Sequence, residues 1–397
     1  MRKRLLLLMV VTMTMVISLM AQNHRTVIIS LDGCRWDYPQ MYDTPNFDEI
    51  AENGVSGVMQ PSFPSLTFPN HYTLATGLVP DHHGIIGNTF YDKASGLTFS
   101  LGNKQTKQDP RFWGGEPIWI TAKKQGKKVG VVYWPGSDVA IQGTYPDYWF
   151  NYEKKPLLTF AERIAEIERM LKMPADKRPD LIMAYFDEPD HSGHSFGPES
   201  KQTRKAVETL DCLIGQLWSD IKRMPDGNDI NLIITSDHGM ARNSKQRIIH
   251  LKDYLDKRWY EKMYHGFPTM IYPKKGCEGK ILKALANVPH IRAYRKSEVP
   301  AYLNYGTNKN ISDIVVITDI GFITGDTDKC IAGNHGFDPT FGDMNVIFRA
   351  VGPDFKKGYQ KEKVFKNVNV YPLLNRLMGT TPANCDGNVE EVSDFLK

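Results

Sequence analysis

Three short apolar runs stand out along the chain, and each stops abruptly at an aspartate. Val27–Leu31 runs into Asp32, Leu181–Phe186 into the segment Asp187 to Asp190, and Leu232–Thr235 into Asp237–His238. Continuous Ile, Leu and Val closed by Gly, Pro or a turn residue predict buried parallel strands. Gly130–Tyr133, closed by Trp134–Pro135–Gly136, predicts another. Between them Phe160–Leu171 and Arg204–Ile221 carry the 3.6-residue period of amphipathic helices. Strand and helix signals alternate in this way from about residue 25 to 240, which predicts βαβ units and an α/β fold with a largely parallel central sheet. After Met240 the texture changes. Pro268–Tyr272, a helix over Glu278–Ala286, Ile291–Tyr294 and Ile314–Ile317 predict a small α+β insertion at about 250–325. A strand at Asn345–Ala350 and a helix near Val370–Met378 close the pattern.

The parallel reading gives the aspartates their meaning. In an open α/β sheet the strand C-termini share one edge, and ligands bind there. Acidic residues and histidine delivered to that edge by three strands form a convergent cluster of hard ligands, the composition of a metal site. Asp190 and His194 are four apart, which places both on one face of a helical turn or around one ion in a tight loop. Asp237 and His238 are adjacent, so both reach one ion only if the backbone turns, which Gly239 permits. Asp and His suit Zn²⁺ first, with Mn²⁺ or Fe behind it. A lone strand-end Asp is more often a cap or turn residue; it is the joint occurrence that argues for metal. Thr67 stands just before Pro69, which suits the first turn of a helix continuing through His71–Ala75. There its hydroxyl would be either a helix cap or a group facing a phosphoryl oxygen.

Composition adds limits. The 397 residues suffice for one large α/β domain with an insertion. Arg2, Lys3 and Arg4 precede an apolar stretch from Leu5 to Met20, then Ala21 and Gln22, the order of a signal peptide over residues 1–21. The rival, an uncleaved anchor, is short for a spanning helix. No Cys follows the stretch, which argues against a lipid anchor there. The mature catalytic unit is expected at 24–397, exported to a periplasm or secreted, with no later span. Losing Arg2, Lys3 and Arg4 lowers the formal charge from +4 to about +1, so nothing electrostatic favours polymeric nucleic acid. Five cysteines leave at least one unpaired; Cys34 is the best candidate for a buried free thiol. Asn310–Ile311–Ser312 is a glycosylation sequon, meaningful in a eukaryotic source.

Taken together, the motifs resemble a known family. Leu31–Asp32–Gly33, Thr67–Phe68–Pro69–Asn70–His71, His83–Gly84–Ile85 with Asn88, Trp134–Pro135–Gly136–Ser137, Glu188–Pro189–Asp190 with Gly193–His194, Ser236–Asp237–His238–Gly239–Met240 and Asn334–His335–Gly336 look like the nucleotide pyrophosphatase/phosphodiesterase family of the alkaline phosphatase superfamily. The likeness runs from about residue 25 to 360. It implies two Zn²⁺ ions per chain. Asp32, Thr67, Asp237 and His238 would hold one, and Asp190, His194 and His335 the other. Two ions about 4 Å apart bridge a phosphoryl group, one activating the attacking oxygen and the other stabilising the leaving oxygen. On this likeness Thr67 is the nucleophile, forming a covalent phosphothreonine. Asn88, twenty-one residues further on, donates to a phosphoryl oxygen. Phe68 and Tyr152 correspond to the walls that hold a nucleobase, with Trp149 and Tyr148 as substitutes for Tyr152. His83 and His191 are read as ordinary histidines.

The implied activity is an exported phosphodiesterase/pyrophosphatase that releases nucleoside 5′-monophosphates from small nucleotide diesters. A sulfatase would need Cys or Ser followed by x-Pro-x-Arg, which neither Cys34 nor Ser62 has. A monoesterase would use Ser and an Arg with a third metal. Two rivals remain: a lipid-headgroup phosphodiesterase with the same metal core, and a secreted binding protein on an inactive scaffold. The second would have lost a ligand or the nucleophile; all are present.

Overall fold

A computed structural model describes residues 24–397; the expected signal segment lies outside the described residues. Its centre is a nine-stranded sheet. Arg25–Leu31 lies in the middle, flanked in parallel by Leu181–Phe186 and Ile230–Thr235. Val129–Val132 and Tyr148–Trp149 extend the sheet in parallel beyond Leu181–Phe186. Beyond Ile230–Thr235 come Val346–Val351 and Val55–Gln60, the latter paired with the short strands Tyr359–Gln360 and Phe365–Lys366. Only Val346–Val351 runs against the rest, so the sheet is mixed but dominated by one direction.

The three aspartate-ended strands are buried at every residue because helices cover both sheet faces. On one face Ile28, Met183 and Ile233 join Leu74 of the Thr67–Thr76 helix, Trp119 of Ile118–Lys124 and Leu373 of Val370–Met378. On the other, Val27, Ile29 and Leu31 join Ile164 and Ile167 of Phe160–Leu171 and Leu210, Ile214 and Leu217 of Lys201–Arg223. Alternate residues of one strand thus feed opposite cores. A capping box between Thr159 and Glu162 starts the Phe160 helix. The Lys201–Arg223 helix is longer than its apolar period: Ser200 caps a polar first turn by accepting from the Thr203 amide. Tyr133 falls outside its strand, at φ +62°. The Val55–Gln60 strand gives no clear sequence signal, because Gly57 takes a buried position and Val58 a partly exposed one, so apolar and polar residue types do not alternate with burial.

A second sheet of four antiparallel strands, ordered Tyr260–Tyr264, Thr269–Pro273, Ile314–Thr318 and Ile291–Arg295, packs Ile271, Ile314 and Val316 against Ile281 and Leu285 of the helix Glu278–Leu285. No helix among the described residues is long and apolar enough to cross a membrane. All five cysteines are free; Cys34 is fully buried, and burial pushes its thiol up from the ordinary range. The sequon does not offer a surface asparagine: Asn310, Ile311 and Ser312 are all buried.

Candidate metal centre

The strand ends meet as the parallel register requires. Asp32 continues the ladder past Leu31, its amide donating to the Phe186 carbonyl at 2.9 Å, and its own carbonyl accepts from the Asp190 amide at 2.9 Å. Gly33 then turns at φ +70°, where a Cβ would sit 3.0 Å from the Asp190 Cα and Cβ. Asp190 opens the helix Asp190–Phe196, which puts His194 one turn later on the same face. Asp237 and His238 follow Thr235. Gly239 matters here for room and not for φ, since its φ is not positive: a Cβ would lie 1.9 Å from the Asp343 carbonyl oxygen. Asn334 pairs with Ala241 in a two-residue ladder that carries His335 alongside. Thr67 is brought in by the chain leaving Val55–Gln60. It is the first residue of its helix, and the cap position before it, Leu66, makes no side-chain cap. The Thr67 hydroxyl instead lies 3.0 Å from His238 Nε2.

All seven residues expected to hold metal therefore meet at one place. Asp190 Oδ1 is 3.3 Å from His194 Nε2 and 3.4 Å from His335 Nε2, and the two ring nitrogens are 3.1 Å apart. His238 Nε2 is 3.3 Å from Asp32 Oδ1 and 3.1 Å from Asp237 Oδ2. His238 and His335 stack with centroids 3.5 Å apart, joining the two halves. Asp190 also comes within reach of Asp32 and His238, so it stands between the halves instead of belonging to one alone.

The hydrogen bonds fix the chemistry of these groups. His194 Nδ1 faces the Gly333 carbonyl at 2.8 Å, His335 Nδ1 that of Ser65 at 3.0 Å, and His238 Nδ1 that of Gly239 at 2.9 Å. A carbonyl only accepts, so each Nδ1 carries the proton and each Nε2 turns a lone pair inward. Opposite them, Asp32 Oδ1, Asp190 Oδ1 and Asp237 Oδ2 are buried without a hydrogen-bond partner. Lone pairs facing lone pairs in a buried space are costly unless cations lie between them. Electrostatics agrees. Burial, then the Asp237 and Asp190 charges, pushes the Asp32 carboxyl well up; burial, then Asp237 and Glu188, does the same to Asp190. For Asp237 burial is outweighed by the His238 and His71 imidazoles, and its carboxyl sits below the usual range. Burial lowers His194 and His335 and brings His238 to about 4, so the imidazoles are neutral ligands near pH 7. The residues present fit divalent metal.

Two residues were not singled out from sequence. Tyr185 donates its hydroxyl to Asp32 Oδ2 at 2.6 Å, which occupies that oxygen and leaves Oδ1 free. Within an all-apolar strand it gave no signal beyond core packing. His71 sits with Nδ1 at 2.9 Å from the Thr67 carbonyl and 3.3 Å from Asp237, and Nε2 at 2.9 Å from the Ser30 hydroxyl. Its signal was its place in the Thr67 motif. His83 is buried against Thr73 and the Pro69 carbonyl, and His191 is exposed.

Asn88 leads into the hairpin Thr89–Asp92 with Leu97–Ser100, and its Oδ1 is buried and unpartnered. It lines a cavity of about 220 Å³ that also touches His194 and His335. Phe68 packs near Trp113, ring centroids 6.2 Å apart. Tyr152 packs edge-on to Tyr133 at 5.6 Å and lies 6.3 Å from Tyr185. The substitutes point elsewhere: Trp149 stacks on Tyr145, and the Tyr148 hydroxyl donates to the Lys177 carbonyl.

A mostly parallel sheet with Asp/His clusters gathered at its strand ends around a threonine hydroxyl is the arrangement of an alkaline-phosphatase-like metallohydrolase. Comparison with known proteins narrows the class. The family described as type I phosphodiesterase / nucleotide pyrophosphatase matches residues 26–338. Human ectonucleotide pyrophosphatase/phosphodiesterase family member 5 is 36% identical over 386 residues, covering 96% of this chain and 79% of that protein. A venom phosphodiesterase of Crotalus durissus collilineatus is 36% identical over 389 residues, covering 94% of this chain but 46% of its own length. The chain thus spans under half of such longer relatives. The solved structure of an inactive variant of murine family member 5, in complex with AMP, superposes with a TM-score of 0.89 at 35% identity, covering 94% of this chain and all of that one. The chain belongs to the type I phosphodiesterase / nucleotide pyrophosphatase family.

Proposed function

We propose that this protein is an exported, zinc-dependent phosphodiesterase/pyrophosphatase whose catalytic unit, residues 24–397, follows a signal peptide at 1–21 and carries an α+β insertion at about 250–325. It releases nucleoside 5′-monophosphates from small nucleotide diesters or pyrophosphates. The observation that carries the reading is the set of three inward Nε2 lone pairs facing three unpartnered carboxylate oxygens beside the Thr67 hydroxyl. Asp32, Thr67, Asp237 and His238 would hold one ion and Asp190, His194 and His335 a second, with Asp190 between them. Bound zinc would supply Lewis acidity at the phosphoryl oxygens and lower the pKa of the threonine hydroxyl.

The chain's own part follows. Thr67 Oγ1 gives its proton to solvent and bonds to phosphorus in line, while the bond to the leaving oxygen breaks and that oxygen departs with the electron pair, taking up a proton from solvent. Water then displaces Thr67 from the phosphothreonine, restoring the hydroxyl and freeing the monophosphate. The Thr67 main-chain amide and the Asn88 side chain donate to the non-bridging oxygens as charge develops. Phe68 and Tyr152 hold the base by their faces; the AMP complex of murine family member 5 supports a small nucleotide as the ligand. His71, anchored at the Ser30 hydroxyl, fixes the Thr67 carbonyl and with it the start of the helix.

The test is parallel turnover of p-nitrophenyl thymidine 5′-monophosphate, p-nitrophenyl phosphate and p-nitrophenyl phosphorylcholine. The nucleotide diester should be fastest. Preference for the monoester would end the diesterase reading, and preference for the choline ester would move the substrate to lipids.

A further inference from the structure

Beside the His194–His335 half of the centre lies the cavity of about 220 Å³ that Asn88 borders. It holds the bulk of about seven waters, enough for one small ring or a glycerol-sized group. Its walls mix main chain and apolar side chains, Phe267 among them, with the polar groups Asn88, Asn334 and His265. The segment from His265 to Pro268 enters from the second sheet, at the turn between Tyr260–Tyr264 and Thr269–Pro273. None of the lining residues is Lys or Arg. The one titratable group besides the two cluster histidines is His265. Its Nδ1 meets the Thr324 hydroxyl at 3.0 Å, while its Nε2 is buried without a hydrogen bond. A carboxylate oxygen of Asp326 stands 3.2 Å from that Nε2. Lys252 donates to the Asp326 carbonyl at 2.9 Å but does not line the cavity.

We propose that this cavity is the leaving-group pocket, and that His265 backed by Asp326 tunes it for an alcohol or other weakly charged leaving group over pyrophosphate. The assignment rests on the phosphodiesterase reading above and names the substrate class that reading leaves open. Position argues for the pocket. It adjoins Asn88 and the two histidines, whereas Phe68 and Tyr152 line none of it. Charge argues for the selection. A cation held by His194 and His335 would face the phosphoryl oxygens at the reacting end, but the rest of the lining offers no Lys or Arg to the further charges of pyrophosphate and has a carboxylate behind its one unassigned imidazole. An uncharged ring or alcohol meets the Phe267 wall and finds polar partners in Asn88 and Asn334.

The experiment compares kcat/KM for p-nitrophenyl thymidine 5′-monophosphate and for ATP in the wild type, in Asp326→Lys and in Asp326→Asn, so that the intrinsic reactivity of each substrate cancels in the ratio. Asp326 is exposed, and its replacement leaves the core intact. The ATP-to-diester ratio should rise about tenfold in Asp326→Lys and by a smaller factor in Asp326→Asn, mainly through KM for ATP. In a Thr67→Ala background, calorimetric affinity for ATP relative to AMP should rise in step. An enzyme that cleaves both nucleotides with the ratio unmoved in kinetics and in binding would overturn this assignment alone. Cleavage of the choline ester with no nucleotide turnover would overturn the nucleotide reading and this assignment with it.

Discussion

Replacing Tyr185 by Phe removes one oxygen atom and one hydrogen bond, the 2.6 Å donation to Asp32 Oδ2. The ring itself stays, with its edge-on contact to His71 at 5.0 Å. Packing should therefore survive, and the change falls on the carboxylate. A hydrogen bond to a charged, buried acceptor contributes about 1.5–3 kcal/mol. Without it Asp32 is free to rotate, and Oδ1 no longer points uniquely at the position beside His238 and Thr67. Since about 1.4 kcal/mol is a factor of ten, zinc affinity at that position should fall by roughly 10–100-fold. The assay is zinc competition against a chelator of known affinity, with kcat measured at saturating zinc to separate occupancy from chemistry. Melting of the zinc-stripped protein serves as the control for folding. An unchanged zinc affinity in a folded Tyr185→Phe protein would refute the claim that this hydroxyl orients Asp32.

Thr67→Ala should lower kcat by about a thousandfold or more while retaining zinc at the His194–His335 half, read by metal content and circular dichroism. Retained turnover would remove Thr67 as the nucleophile. The pH dependence of metal stabilisation follows from the shifted carboxyls. Asp32 and Asp190 are raised in the folded, metal-free protein. A raised carboxyl favours folding below its unfolded pKa, and that contribution is lost as pH climbs through the folded value. Zinc binds the deprotonated form, so the rise in Tm on adding zinc should grow from pH 5 to pH 8, as differential scanning calorimetry would measure; a rise that shrinks over that range would contradict the assignment.

Much of the architecture was legible because burial on both faces leaves a plain mark, a continuous apolar run that stops at a polar edge. Leu181–Phe186, Phe160–Leu171 and Val370–Met378 have the boundaries their patterns predicted. Val55–Gln60 did not read as a strand, since Ser56, Gly57 and Gln60 break its apolar pattern. The direction of Val346–Val351 is set by tertiary pairing and leaves no trace in its residues. The residues gathered at the strand ends were legible as a set of Asp and His. Their connections were not. That Asp190 lies between the halves depends on Gly33 and the Asp32–Asp190 main-chain bond, and the requirement for Gly239 comes from a carbonyl more than a hundred residues away. Tyr185 and His265 were invisible for the same reason. Their roles come from what stands opposite them in space.

The most direct measurement is anomalous scattering at the zinc edge from crystals grown with zinc, paired with metal content per chain in solution. Two peaks within reach of one another are expected, one among Asp190, His194 and His335 and one among Asp32, Asp237, His238 and Thr67, with two equivalents bound. Density for a single ion, or for ions away from these side chains, would contradict the proposed centre and the threonine chemistry built on it.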